Sequence, residues 1–160
     1  MVIGGIAVAL WANPRATIDL DFAILLESDN IDEFKSKLEK TSLKFIALHL
    51  LKLKKINIIR FSLCKSKHEL ITVDLLLVSE KFLKNALDRR IALSLSSQKL
   101  YVATAEDLIL LKLISHRPQD KVDISNIISS NSKLDFRYLK KWAKYLEREE
   151  LLKNFLKKSK

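Results

Sequence analysis

Glycine and proline are nearly absent, two of each in 160 residues. So few chain-punctuating residues favour helices with short connections over a many-stranded sandwich. Both glycines fall together, at positions 4 and 5, which makes their place informative. The single cysteine, Cys64, excludes an internal disulfide. It reads as a small half-buried residue of a strand rather than a reactive nucleophile. The three histidines, His49, His68 and His116, have no cysteine or histidine partner at zinc-ligand spacing. A long hydrophobic run is missing as well. Residues 1–12 are apolar, but they lack the basic leading region of a secretion signal and are too short to span a membrane. These absences point to a reducing, cytoplasmic setting with no membrane partner.

What is present is an ordinary globular balance of 48% hydrophobic and 30% charged residues. The length suits one domain over residues 1–130 carrying a small helical segment over 131–160. The formal net charge of +10 suggests a polyanionic partner, a nucleic acid or a nucleotide. Residues 131–160 hold ten Lys/Arg against four Asp/Glu and so carry +6 of that excess. Phe136, Tyr138, Trp142, Tyr145 and Phe155 are interleaved with those charges. They read in two ways. One is an RNA-facing surface with stacking side chains. The other, favoured, is the apolar stripe of helices that pack on the domain through Leu139, Leu146 and Leu152, with the lysines as a solvated face.

Residues 1–3 read as the stub of a strand, followed by a helix over 6–12 that Asn13-Pro14 closes. Residues 17–26 read as a strand with Thr17, Asp19 and Asp21 on one face and Ile18, Leu20 and Phe22 on the other. Ser28, Asp29 and Asn30 form a turn with helix-capping chemistry, ahead of an amphipathic helix over 31–40. Residues 41–55 are ambiguous between helix and strand-plus-helix. Residues 56–63 and 70–78 read as strands, antiparallel to one another, joined by a polar turn over 64–69. A helix over 79–90 capped by Ser79, an extended hairpin over 93–103 and a helix opened by Thr104 follow. That helix ends near His116, and a short helix over 119–128 and one or two basic helices over 134–158 complete the chain. The order predicts an α/β or α+β fold: a mixed sheet with flanking helices.

Asp19 and Asp21 lie two apart on the expected strand, so both carboxylates point to one side, Cα atoms roughly 7 Å apart. Asp74 is the only charge in residues 71–78, which are otherwise apolar except for Thr72. A lone ionised carboxylate in such a strand needs a partner. Three carboxylates converging on one point repel one another, and divalent cations relieve the repulsion. Two Mg²⁺ ions about 4 Å apart would activate an attacking oxygen and stabilise a leaving phosphate. Gly4-Gly5, between a strand stub and a helix, would let backbone N–H groups approach a phosphate at the helix N-terminus.

Gly4-Gly5, then thirteen residues, then Asp19-x-Asp21, with Asp74 inside a hydrophobic strand, resembles the pattern of the DNA polymerase β-like nucleotidyltransferase superfamily. The strings VIGGIAV at 2–8 and PRATIDLD at 14–21 look like the AbiEii-type branch, toxins of abortive-infection toxin–antitoxin systems. ATAEDLILLKL at 103–113 and RPQD at 117–120 resemble that branch too. The resemblance covers residues 1–128. It implies a nucleotidyltransferase-type sheet and Mg²⁺-dependent transfer of a nucleoside monophosphate from an NTP. The implied acceptor is a tRNA 3′ end or a protein side chain, and an antitoxin is the implied protein partner. Asp19 and Asp21 would hold the metals, and Asp74 would complete the triad and act as general base. Gly4 and Gly5 would cradle the triphosphate, Lys112 would reach it, and Arg15 and Thr17 would touch phosphate. Asp120 or Asp123 would position the lysine or the acceptor. Read from the residues alone, Lys112 is equally a lysine on an amphipathic surface, and Arg117–Asp120 is a structural ion pair. Three residues precede Gly4, where the family usually has a fuller strand, and this supports an alternative: a catalytically degenerate module that binds RNA or a partner protein. An antibiotic-modifying nucleotidyltransferase would need an acidic pocket for a cationic drug, which the charge of +10 disfavours.

Overall fold

A computed structural model describes residues 1–26, 30–41, 44–53, 56–66 and 69–158. The turn expected at Ser28 and Asp29, parts of the ambiguous stretch at 42–43 and 54–55, and the turn residues 67–68 lie outside the described residues. The elements run α1 Gly4–Trp11, β1 Leu20–Ile24, α2 Ile31–Glu39, β2 Phe45–Leu53, β3 Ile56–Ser66, β4 Glu69–Leu77, α3 Lys81–Asp88, β5 Ile91–Leu95, β6 Gln98–Val102, α4 Ala105–Ser115, α5 Pro118–Ser130, α6 Phe136–Tyr145 and α7 Glu149–Lys158.

Four strands form a mixed sheet in the order β1-β4-β3-β2. β1 runs parallel to β4, while β3 is antiparallel to both β4 and β2. β5 and β6 form a separate hairpin, turned at Ser96 with φ of 54°. The expected N-terminal stub is a stitch between the two sheets. Val2 bridges Phe22 of β1 on one side and Val102 of β6 on the other. This is a mixed α/β architecture, as the sequence predicts.

Alternation explains how the sheet is covered. On β4, Val73, Leu75 and Leu77 join Ile59 and Phe61 against Ile31, Phe34 and Leu38 of α2. Leu76 and Val78 face the other way, into the main core with Val8, Phe82, Leu108, Ile109, Ile124 and Leu139. The aromatic tail divides: Trp142 is buried and Tyr138 and Phe155 pack against the main core, whereas Phe136 and Tyr145 are 42% and 50% exposed. Trp142 is 4% exposed and packs on Phe82 with ring centroids 5.5 Å apart. Burying each such side chain contributes about 2–3 kcal/mol, so α6 and α7 are part of the core rather than an appendage of surface charge.

Several element boundaries differ from expectation, each for a local reason. The first strand starts at Leu20 instead of residue 17, because hydrogen-bonded pairing with β4 begins only at Leu20↔Val73. Asp19 therefore stands just outside the strand. Residues 45–53 are wholly strand, since they pair with β3. α3 starts at Lys81 with Glu80 at its cap and no side-chain capping bond, so Ser79 does not cap it. Thr104 does cap α4: its hydroxyl oxygen accepts from the Asp107 amide at 3.2 Å. His116 then closes α4 in the left-handed region, φ 47°. No helix among the described residues is long and apolar enough to cross a membrane.

Candidate active site

One row of side chains crosses the sheet. Asp21 of β1 is the register partner of Asp74 of β4, Asp74 of Arg60 on β3, and Arg60 of His49 on β2. Directly opposed residues on neighbouring strands point to the same face. Two residues further toward the C-terminal ends of β1 and β4, that face is apolar. Ala23 and Leu76 are buried in the main core, and Ile58 packs against it. The row Asp21, Asp74, Arg60 thus marks where the core on this face gives way to polar side chains.

The glycines meet this row. Gly4 opens α1 with φ of 66°. A Cβ there would overlap the Asp21 carboxylate, which lies directly over the Gly4 backbone. The Ile3 amide donates to the Asp21 carbonyl at 2.9 Å, which fixes α1 against β1. At Gly5 a Cβ would sit 2.9 Å from Thr17 Oγ1 and 3.2 Å from Arg15 Nη2. Gly4, Gly5, Arg15, Thr17 and Asp21, spread over the first 21 residues, therefore assemble around the start of α1, with Asp74 beside them.

Lys112 is placed differently from a phosphate-reaching lysine. Its side chain is 6% exposed, and its ammonium donates to Asp123 Oδ2 at 2.6 Å and to Asp120 Oδ1 at 3.3 Å. A buried ammonium must be paired, and α5 supplies the pair. The same two carboxylates hold two arginines. Arg15 donates through Nε and Nη2 to Asp123 at 2.9 and 3.0 Å. Arg117 donates through Nε and Nη2 to Asp120 at 2.9 and 3.3 Å. Asp120 and Asp123 thus do position the lysine, as one of the two roles considered for them requires. Arg117 caps α5 and pairs with Asp120 structurally, yet its side chain is 71% exposed.

The electrostatics tie the two groups together. The Asp21 carboxyl is raised above its ordinary value, first by burial, then by Asp74 and Asp19; Arg117 and Lys112 act against this. Arg117 is raised chiefly by its bond to Asp120, with further contributions from Asp21 and Asp74. Burial pushes Asp120 up, but its bonds to the Arg117 side chain and backbone and to Ser115, with Lys112 nearby, overcome this and hold it at about 2. Asp21 thus sits partly buried in the field of Asp74 and Asp19, with the charges of Arg117 and Lys112 opposing them.

Arg60 was not singled out by the sequence reading. Its Nε and Nη2 donate to Asp74 Oδ1 and Oδ2 at 2.7 and 2.6 Å, a bidentate bridge that takes one lone pair of each oxygen. The signal that picked out Asp74 would have found it, for Arg60 is the only charge in residues 56–64. Arg117 was read only as a structural pair, because its proximity to Asp21 depends on how α4 and α5 dock.

The donor set suits a hard divalent cation in part. Asp19 and Asp21 offer oxygen ligands, and the Asp21 carboxyl is raised first by burial and only then by the charges of Asp74 and Asp19, which such an ion would offset. Asp74 shares both oxygens with Arg60 and keeps one lone pair on each. Among the described residues no three His, Cys, Asp or Glu side chains stand together as a ready metal site.

The fold is similar to that of an antigenic nucleotidyltransferase-like protein from Paracoccidioides brasiliensis. The TM-score is 0.51 at 18% identity, over 98% of this chain and 83% of that one. It is also similar to JHP933 from Helicobacter pylori, with a TM-score of 0.42 at 16% identity over 82% of this chain and 58% of that one. No curated protein matches the sequence significantly. Residues 1–159 match the family described as nucleotidyltransferase of unknown function (DUF6036), and the chain belongs to that family.

Proposed function

We propose that this protein is a Mg²⁺-dependent nucleotidyltransferase that moves a nucleoside monophosphate from an NTP to an acceptor hydroxyl. The observation that carries the reading is the meeting of Gly4, Gly5, Arg15 and Thr17 with Asp21 at the start of α1, with Asp74 opposite Asp21 on the next strand.

Asp19 and Asp21 would hold the cation, which when bound supplies positive charge to the phosphate oxygens. The helix N-terminus and its glycines let the backbone approach a phosphate. Arg15 is oriented by Asp123, and Arg117 by Asp120. Both present guanidinium to the triphosphate, the part that Lys112 cannot play from its buried position. The acceptor oxygen attacks the α-phosphorus, and the bond from that phosphorus to the bridging oxygen of the β-phosphate breaks. Pyrophosphate leaves, and the hydroxyl proton passes to a carboxylate of the Asp21–Asp74 pair. Lys112 acts at one remove, by fixing Asp120 and Asp123.

The resemblance of the strings at 2–8, 14–21 and 103–113 to AbiEii-type toxins supports a finer version, with a tRNA 3′ end or a protein side chain as acceptor, an antitoxin as partner and the cytoplasm as location. The net charge of +10 is in keeping with an RNA acceptor.

The test is incubation of the purified protein with each α-labelled NTP, Mg²⁺ and total tRNA, beside an Asp19→Ala/Asp21→Ala variant. Label passing to RNA or protein with the unmodified chain alone would establish the reaction and its acceptor class. Absence of transfer from every NTP by a folded protein that still binds RNA would establish the second reading, a degenerate binding module. The engagement of Asp74 by Arg60 is the observation favouring that module.

A further inference from the structure

We infer that the exposed face of α6 binds single-stranded RNA, with Arg137, Lys140, Lys141 and Lys144 taking phosphates and Phe136 and Tyr145 stacking on bases. The inference goes beyond the proposed function and holds or fails apart from nucleotidyl transfer.

The four cations stand at i, i+3, i+4 and i+7 along α6, so they share one side of the helix. Leu139, Trp142 and Ala143 are buried on the opposite side, in the main core. At about 100° of turn per residue, the cations cover roughly 100° of the helix surface. All four are exposed. Phe136 and Tyr145 flank that arc, one on each side, and are exposed as well. Tyr145 is braced by Trp142, ring centroids 5.3 Å apart at 82°. No other helix among the described residues carries four exposed cations at this spacing.

The stripe lacks counter-charge. α6 contains no acidic residue. Among the described residues none of its four cations forms an ion pair. Lys141 lies over the Trp142 ring, 5.4 Å from its centroid. The acids on either side are directed elsewhere. Asp135 caps the helix by accepting from the Tyr138 amide at 2.9 Å. Glu147 stands beyond the helix in the left-handed region, φ 57°. Glu149 and Glu150 of α7 face Lys153. Like charges at these spacings destabilise a helix, and Arg137 in the first turn opposes its dipole. Burial of the other side holds α6 in place against both effects, and a row of phosphates would relieve them.

The surroundings of the cations select among polyanions. A membrane surface needs an apolar helix face to insert, and that of α6 is used in the core. An acidic protein would meet the cations and leave the two aromatic rings beside them unused. A single strand uses both, since cations track its backbone while aromatic faces hold its bases. RNA is the nucleic acid that offers unstacked bases, in its loops and ends.

The complete chain, without NTP or Mg²⁺, is titrated against a fluorescent single-stranded RNA of roughly 12 nucleotides. Anisotropy is followed from about 50 to about 200 mM salt. Lys140→Gln/Lys144→Gln should weaken binding at least about fivefold at the lower salt and reduce the slope of log K against log salt by about 1.4, the share of two phosphate contacts. Lys81→Gln/Lys84→Gln, which removes two exposed lysines of α3, should change affinity by less than about twofold. Phe136→Leu/Tyr145→Leu should weaken binding at least about fivefold with the slope unchanged, because stacking releases no counterions. Thermal melting of each variant establishes that it is folded. Equal losses from the α3 and α6 lysine pairs would show that net charge alone attracts the strand and would overturn the inference. Tighter binding of single-stranded DNA of the same sequence would overturn it too, as would an RNA duplex, polyglutamate or phosphatidylserine vesicles binding as tightly as the single strand. Failure of the unmodified chain to bind the RNA would do the same, while the labelled-NTP assay would still decide the proposed function.

Discussion

The ammonium of Lys112 on α4 lies 2.6 Å from Asp123 Oδ2 on α5, with only 6% of the lysine side chain open to solvent. This contact, with its companion to Asp120, makes Lys112 the link between two helices.

Lys112→Met is therefore expected to act on stability first. It leaves Asp120 and Asp123 buried with one cation fewer, a loss of about 3–5 kcal/mol for breaking a buried pair from one side. The melting temperature should fall by roughly 10 °C. A melting temperature unchanged within a degree, with nucleotide affinity lost, would return Lys112 to direct phosphate contact.

Acid should unfold the protein through the same cluster. Asp120 is held at about 2 in the fold against an ordinary 3.8, so its folded value is depressed. A depressed carboxyl contributes stability that is present above its unfolded value and disappears as pH falls through the folded one. The contribution, about 2 kcal/mol, should be complete above about pH 5 and lost between about pH 4 and pH 2. Asp123, lowered by Arg15, Lys112 and Gln119 against the opposing effect of burial, acts in the same direction. Urea midpoints measured from pH 6 to pH 2 should drop through this window, and Asp120→Asn should flatten the drop. An equally steep fall in Asp120→Asn would show that other carboxylates govern acid unfolding.

Gly4→Ala combines two penalties at one position. A non-glycine residue at φ of 66° is strained, by about 1–2 kcal/mol. The added methyl would also displace the Asp21 carboxylate. Nucleotide affinity should fall at least tenfold, beyond what the modest loss of stability explains. Gly5→Ala meets the Thr17 side chain and the end of Arg15, with no positive φ to strain it, and should be milder. Equal effects of the two substitutions on nucleotide binding would contradict the placement of Asp21 over Gly4.

Arg117 links binding to folding. Its bridge to Asp120 joins an exposed arginine to a carboxylate that is 1% exposed, so removing it takes one cation from a buried group that still keeps Lys112. Arg117→Gln should lower the urea midpoint, though less than Lys112→Met, and weaken NTP binding about tenfold, equivalent to about 1.4 kcal/mol. Isothermal titration with a non-hydrolysable α,β-methylene NTP measures this, and unchanged affinity would remove Arg117 from the nucleotide site.

The C-terminal helices can be tested through Tyr138. Its hydroxyl donates to Asp107 Oδ1 at 2.5 Å and meets Asn85 at 2.8 Å, joining α6 to α4 and α3. Arg89 stacks over its ring at 3.8 Å. Tyr138→Phe strands the buried Asp107 oxygen and should cost about 1–3 kcal/mol in urea unfolding. Unfolding should remain a single transition, since Leu139, Trp142 and Leu152 belong to the main core. A first transition confined to α6 and α7 would show that they form a unit of their own.

Local chemistry wrote much of this protein into its sequence. Alternating apolar residues specify β3 and β4, Thr104 announces α4, and lone charges in apolar strands mark Asp74 and, equally, Arg60. These signals are short-range: a strand face, a cap or a glycine at positive φ depends on residues within a few positions. Tertiary structure alone decided the rest. That Asp74 meets Arg60 depends on the register of β3 against β4, and the place of Asp19 depends on where β1 begins to pair. Whether Lys112 reaches a phosphate depends on two carboxylates delivered by the docking of α5. A side chain's charge is a property of its residue, but the partner that neutralises it is set by packing between segments distant in sequence.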